Sequence, residues 1–212
     1  MKFTSLFLLL ALLTLGFTAP AWADTIAITN PSFETHAPFG CTGCGTWNVG
    51  PIPGWTITGG RAGSWLPDSS AFPSVPDGNI IAFSNGATLS QTLSASIAPY
   101  TTYSLSVDVG HRLDGTDGYP AGYTIELLAG GMLLRSISGF SGDIPKGTFQ
   151  DVSFNFTSGA TGSGNLAIEL ISGGIQSDFD NVRLTAAQAS EPGSLALLIT
   201  GLGLALFLFR RR

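Results

Sequence analysis

The chain has 212 residues, 44% of them hydrophobic and only 11% charged, with a formal net charge of −5. That apolar content supplies the buried area a disordered chain lacks. Between residues 24 and 190, Arg61, Arg112, Arg135, Lys146 and Arg183 stand against thirteen carboxylates. An acidic body without a basic cluster argues against nucleic acid and anionic lipid as partners.

Residues 1–23 have the pattern of a secretory signal peptide: Lys2, an apolar run from Phe3 to Phe17, then Ala21-Trp22-Ala23 with small residues where signal peptidase inspects the chain. A first transmembrane helix is the competing reading, and Pro20 with the A-x-A site favours cleavage after Ala23.

A strand is predicted near 25–29, followed by "NPSFE", Asn30 to Glu34. From Thr35 to Gly78 the chain is crowded with glycine and proline and carries Phe39, Trp47, Trp55, Trp65 and Phe72. Long loops at the rim of a β-sandwich are where binding residues concentrate. Cys41 and Cys44, in "CTGCGTW", are the only cysteines. Outside the cytoplasm so close a pair reads as a small disulfide pinning a loop. A zinc site needs further ligands, with only His36 nearby, and a redox C-x-x-C needs a βαβ context that is missing.

Sugar rings present apolar C–H faces, so lectin-like sites pair aromatic platforms with hydrogen-bonding side chains. Trp47, Trp65 and Tyr119 are the candidate platforms, and Arg61, Asp68, Asn79, Arg112 and Asp114 the candidate partners for hydroxyls. The competing reading is that loop tryptophans merely cover a sandwich end. Trp55, inside an alternating segment, reads as core.

Period-two alternation dominates the rest. Strands are predicted near 55–58, 79–83 and 87–93, then in "TYSLSVDVG", in "YTIELLAGGMLLRSIS" with a hairpin at Gly130-Gly131, in "DVSFNF", in "NLAIEL" and near 178–185. No stretch between the ends keeps apolar residues at helical spacing for three turns. About ten short strands predict an all-β, antiparallel β-sandwich of jelly-roll type over residues 24–186. An N-terminal signal helix and a short C-terminal transmembrane helix are expected to flank it.

In the closing "SDFDNVRL", Asp180 shares parity with Val182 and Leu184 and faces the core if they do. A buried carboxylate needs a cation or several hydrogen bonds. Glu34 approaches the same spot if the first and last strands are neighbours. Two hard oxygen donors suit calcium. The other reading is that Asp180 and Asn181 cap a turn.

The expectation for catalysis is negative. His36 and His111 are the only histidines, and there is no G-x-S-x-G elbow, H-E-x-x-H, P-loop or dinucleotide fingerprint. Asp68, Asp77, Asp114 and Asp117 all sit in turn-like contexts rather than as a facing pair.

After a spacer at 187–190, residues 191–212 hold Glu191-Pro192-Gly193, an uncharged stretch from Gly193 to Phe209, and Arg210, Arg211 and Arg212. The apolar stretch measures about 25 Å as a helix, the short end of what crosses a bilayer. Clustered arginines stay cytoplasmic. This tripartite tail resembles the PEP-CTERM sorting signal of Gram-negative bacteria, with Ser190 in the place of the first proline. The resemblance implies processing by signal peptidase and an exosortase-type transpeptidase. It also implies export across the inner membrane, a membrane anchor before processing, and the cell surface or extracellular matrix after it. A plain C-terminal anchor fits the same span.

The order of "NPSFE", "PGWTI", "VPDGNIIAFSNGATLSQTL", "TTYSLSVDVGHRLD" and "FDNVRL" is similar to surface proteins with a galactose-binding-like jelly roll, and more distantly to carbohydrate-binding modules. That resemblance implies a structural calcium between Glu34 and Asp180. It also implies a non-catalytic protein that binds or organises extracellular polysaccharide. The alternative is a structural surface or matrix protein acting through protein–protein contacts, and a cryptic glycan hydrolase is the third reading.

Overall fold

Alternating side chains along each extended segment give one apolar and one wet face, and such faces are stable only when stacked on one another. The computed structural model describes residues 23–39, 46–114 and 120–188, and Ala23–Ala187 form one compact unit. Its strands are β1 (Ala23–Ile26), β2 (Thr56–Trp65), β3 (Ile81–Ser96), β4 (Thr101–His111), β5 (Gly122–Ala129), β6 (Met132–Phe140), β7 (Thr148–Thr157), β8 (Asn165–Ser172) and β9 (Ser177–Gln188). They pair antiparallel in the order β6-β5-β8-β3-β9-β4-β7, with β2 added on β3 and β1 on β9. The protein is an all-β antiparallel sandwich.

Two of the expected strands, 79–83 and 87–93, are one strand, so nine are found among the described residues where about ten were expected. The residues read as a break, "SNG", form a kink: Gly86 takes a left-handed φ of +69°. Ser84 Oγ donates to the Ala87 carbonyl (2.9 Å) and accepts from its N–H (3.3 Å), bridging the irregularity. The first part of β3 pairs with β9 and the later part with β8. One long strand therefore passes from one layer to the other and ties them.

Between the layers lie Leu89, Tyr103, Leu105, Val107, Ile125, Leu127, Leu166, Ile168, Leu170, Phe179, Val182 and Leu184, all buried in one cluster. A second, smaller cluster of Trp65, Ala71, Phe72, Ile81 and Phe83 sits apart from it. β1 pairs with β9, Ile26 opposite Leu184 and Ala23 opposite Ala187. The expected spacer at 187–190 is therefore strand in its first two residues. The expected signal helix, transmembrane helix, sorting motif from Glu191 to Arg212, Cys41–Cys44 disulfide and Tyr119 platform lie outside the described residues.

Candidate functional site

Residues 46–50 run antiparallel to the end of β2. Leu66 N–H donates to the Thr46 carbonyl (2.7 Å), Asn48 N–H to Ser64 (3.0 Å) and Gly50 N–H to Ala62 (3.2 Å). The Asn48 side chain locks the segment, donating to the Ala37 carbonyl (2.7 Å) and accepting from Ser64 N–H (3.2 Å). Trp47 is thereby placed directly opposite Trp65. Directly opposed residues project to the same face of a sheet, and in a pair flanked by hydrogen bonds their side chains stand closest. On that face β2 and β3 add Gly63 opposite Phe83 and Arg61 opposite Asn85.

Gly63 permits this arrangement, because a Cβ there would overlap the Asn48 carbonyl oxygen. Gly63→Ala is expected to push residues 46–50 off β2 and cost about 1–3 kcal/mol by overpacking. The loss reads as a lower Tm together with changed tryptophan fluorescence as Trp47 separates from Trp65.

The shared face floors a cleft of about 430 Å³. Trp47, Trp65 and Phe83 give it an aromatic wall, Trp47 and Phe83 meeting edge to face at 6.2 Å. Arg61, Asp68, Asn85, Arg112, Asp114 and Gln176 supply its polar lining. The Arg112 guanidinium lies 4.5 Å over the Trp65 ring. Its Nε and Nη2 donate to both Asp114 oxygens (2.6 and 2.7 Å), and Nη1 donates to Gln176 Oε1 (3.1 Å). A bidentate pair with cation–π stacking holds Arg112 and Trp65 as one rigid unit.

Gln176 continues the chain inward, donating from Nε2 to Asp178 Oδ1 (2.8 Å). Asp178 stands opposite Phe83 in the β3–β9 register. It is 1% exposed, and burial pushes its carboxyl up to about 7 against the pull of Gln176 and Arg112. Asp68 is shifted the other way: the hydroxyl and N–H of Ser70 donate to it and hold its carboxyl below the usual range.

Among the residues singled out from sequence, Trp47, Trp65, Arg61, Asp68, Arg112 and Asp114 meet in this cleft. Trp65 differs from its expected setting. It ends β2 rather than lying in a loop and is 8% exposed, so it forms the floor, while Trp47 at 44% is the open platform. Asn79 does not reach the cleft; its N–H donates to Glu34 Oε1. Phe83, Asn85 and Gln176 were not anticipated: Phe83 ends one predicted strand, Asn85 falls between two, and Gln176 carries no motif. His111 ends β4 buried, with Nδ1 2.7 Å from the Ile144 carbonyl oxygen.

A second constellation joins "NPSFE" to the closing strand. Asn30 and Phe33 adopt left-handed φ values, and Val182 N–H donates to the Pro31 carbonyl (2.9 Å). Glu34 Oε1 accepts from the N–H groups of Asn79 (2.8 Å) and Ile80 (2.6 Å). Asp180, fully buried, accepts from Asp77 N–H (3.0 Å) and Asn181 N–H (2.7 Å). Both carboxylates therefore grip the 77–80 turn. Burial pushes the Asp180 carboxyl up to about 7, with the Asp77 and Asp108 charges adding to the rise. Among the described residues no group of three or more His, Cys, Asp or Glu is arranged to hold a metal ion.

Residues 24–185 match the protein family described as HpiC1-like, HpiC1 cyclase. Among curated proteins none matches by sequence. Of solved structures, the CBM22-1 xylan-binding domain from Paenibacillus barcinonensis is 16% identical with a TM-score of 0.48, covering 81% of this chain and 99% of its own. The TmCBM61 module, solved with β-1,4-galactotriose, is 14% identical at 0.48, covering 76% and 98%. The enzymatically active domain of bacteriophage CBA120 tailspike protein 4 is 16% identical at 0.49; it covers 75% of this chain, which spans only 21% of that one.

Proposed function

The chain belongs to the HpiC1-like family, and from that premise we propose that this member is an exported, non-catalytic surface or matrix protein whose Trp47–Trp65 cleft binds extracellular polysaccharide. The observation that supports the reading is the composition of the cleft. An exposed indole, a rigid indole–guanidinium floor and convergent Asn, Asp, Arg and Gln side chains match the two needs of a sugar ring, an apolar face and directed hydroxyl partners. Delivery follows the PEP-CTERM-like tail, with signal peptidase and an exosortase-type enzyme as processing partners. The test is affinity electrophoresis of the purified chain against a panel of soluble polysaccharides. Retardation that Trp47→Ala relieves supports the module; a folded chain that no polymer retards and that self-associates makes the sandwich a structural surface protein instead.

The family description names a cyclase, which favours a second reading, catalysis in the same cleft. Asp178, whose carboxyl is held near neutrality directly behind Gln176, is then the acid to remove. Turnover that Asp178→Asn abolishes, with polysaccharide binding intact, decides for catalysis.

The reading also carries a structural calcium between Glu34 and Asp180. What supports it is a fully buried carboxyl with two further acidic neighbours, Asp77 and Asp108, a setting that a divalent cation relieves. Each oxygen named already accepts backbone N–H groups, so a bound ion would use the remaining lone pairs. Calcium at 1 mM is expected to raise Tm by several degrees over EDTA, consistent with roughly 2–3 kcal/mol for a site about a hundredfold saturated. Asp180→Asn is expected to abolish the calcium-dependent part. An unchanged Tm assigns the two carboxylates to the turn alone.

A further inference from the structure

We infer that the end of the sandwich opposite the cleft is a docking surface for the headgroup–acyl boundary of an uncharged lipid bilayer, with Tyr100, Met132 and Leu133 as the side chains that enter it. The inference rests on the reading of the tail as a membrane anchor before processing, and adds which end of the sandwich meets that membrane.

β4 runs toward the cleft, where Arg112 follows it, and β9 starts there, just after Gln176. The two strands are neighbours of 11 and 12 residues. Asn181 and Arg183 of β9 both reach Asp108 of β4, which fixes their antiparallel register. β9 therefore ends level with the start of β4, about 30 Å from the cleft. Ala23 pairs with Ala187 there, so both chain connections of the sandwich leave from the far end. Five residues, Gln188 to Pro192, separate Ala187 from the uncharged stretch that begins at Gly193. Such a tether spans at most about 18 Å. It holds the far end close to whatever surface the uncharged stretch enters.

Three loops form that end, joined by backbone hydrogen bonds. Ile97 N–H donates to the Gly164 carbonyl (3.1 Å), Tyr100 N–H to Gly159 (3.0 Å) and Gly130 N–H to Asn165 (3.0 Å). The loops expose Tyr100 at 58%, Met132 at 74% and Leu133 at 53%. No charged residue occurs in 78–107, 127–134 or 152–168, although the body as a whole is acidic. Asp24 stands on β1 at the exit, outside the three loops. A charge is costly inside a bilayer, whereas a protein partner accommodates a charged rim. Grouped exposed apolar residues mark an interaction site, and tyrosine beside aliphatic side chains suits the membrane boundary.

The backbone fits the same medium, because a bilayer offers no water to an unpaired N–H. Ile97 and Tyr100 are bonded as above, Ala98 N–H donates to Tyr103 Oη (2.7 Å) and Thr101 N–H to Ser158 Oγ (2.9 Å). Pro99 has no N–H to satisfy. Every donor from Ile97 to Thr101 is thus met within the protein. With this end on the bilayer, the cleft opens away from the membrane.

The experiment reconstitutes the purified full chain in vesicles of dioleoylphosphatidylcholine or of its dibrominated form, whose bromines quench indole fluorescence within the acyl region. Met132→Trp and Tyr100→Trp report on the far end. Ile175→Trp, exposed beside Gln176, reports on the cleft end. Brominated lipid should remove about half or more of the fluorescence added at 132 and at 100, and almost none of that added at 175. The result should be the same at about 50 and about 500 mM salt, since the contact carries no charge to screen. Leu133→Asp, combined with Tyr100→Trp, should cut the quenching about threefold by lifting the loops out of the boundary. A chain that does not float with the vesicles overturns the anchor reading and this inference together. A chain that floats but is quenched equally at 132 and 175, or at neither, overturns the inference alone. Fluorescence at 132 that is unquenched and shifts blue with the protein-to-lipid ratio gives this end to a second copy of the chain, and also overturns it.

Discussion

Trp47→Ala is expected to weaken binding to whichever polysaccharide the wild-type chain retains by about thirtyfold, some 2 kcal/mol, while moving Tm by less than about 3 °C. The separation of the two effects follows from where the ring sits. Trp47 lies in a segment held to β2 by backbone hydrogen bonds and by Asn48, so its own side chain is not what anchors it. Nearly half its surface is open, so truncation leaves no closed cavity. Trp65→Ala behaves differently. That ring is packed against Phe72 at 5.9 Å and carries Arg112 on its face. Its removal costs about 3–5 kcal/mol and releases the guanidinium. Tm should fall by about 10 °C or more, with binding lost as a consequence of the collapsed floor. Equal destabilisation by both variants would place Trp47 in the fold rather than the site.

Most of the strand pattern was legible because period two survives any tertiary arrangement. "NLAIEL" alternates in burial as it alternates in chemistry, and "TYSLSVDVG" does so as far as Val107, beyond which Asp108 is buried as well. The break at "SNG" was misread because a side-chain hydroxyl, Ser84, stands in for the missing ladder geometry. Local propensity contains no sign of that compensation. The site was legible in its residue types and not in its assembly. Trp47, Arg61, Asp68 and Arg112 announce themselves as aromatics and charges in Gly- and Pro-rich stretches. Gln176 joins them from over sixty residues away, through β9 pairing beside β3. Asn85 became visible only when the β2–β3 register set it opposite Arg61. The link between "NPSFE" and "FDNVRL" was legible in outline from the parity of Asp180. What parity did not contain is that both carboxylates close on the 77–80 turn, which depends on Gly78 making room for Glu34 at a left-handed φ of +70°.

Stability is expected to rise as pH falls from 8 to 5, opposite to the trend of proteins held together by surface carboxylates. Asp178 and Asp180 are both buried, and burial lifts each carboxyl from 3.8 to about 7. Between those values the folded chain holds protons that the unfolded chain has released. The unfolded state then binds fewer protons, so stability falls as pH rises through that window and levels off above about 7. Going from pH 8 to pH 5 protonates both groups in the fold while the unfolded chain stays ionised, so stability recovers by on the order of a few kcal/mol in all. Denaturant midpoints measured across that range in EDTA should climb toward acid. Below pH 4 this contribution is complete, and the ordinary carboxylates of ion pairs such as Arg183–Asp151 begin to protonate and reverse the trend. Asp178→Asn separates the two groups. The amide keeps a hydrogen-bonding partner for Gln176 but cannot titrate, so about half of the acid gain should disappear while stability at pH 8 increases. A slope unchanged by Asp178→Asn would mean that this carboxylate is ionised in the fold, held by Gln176 and the Arg112 charge against its burial.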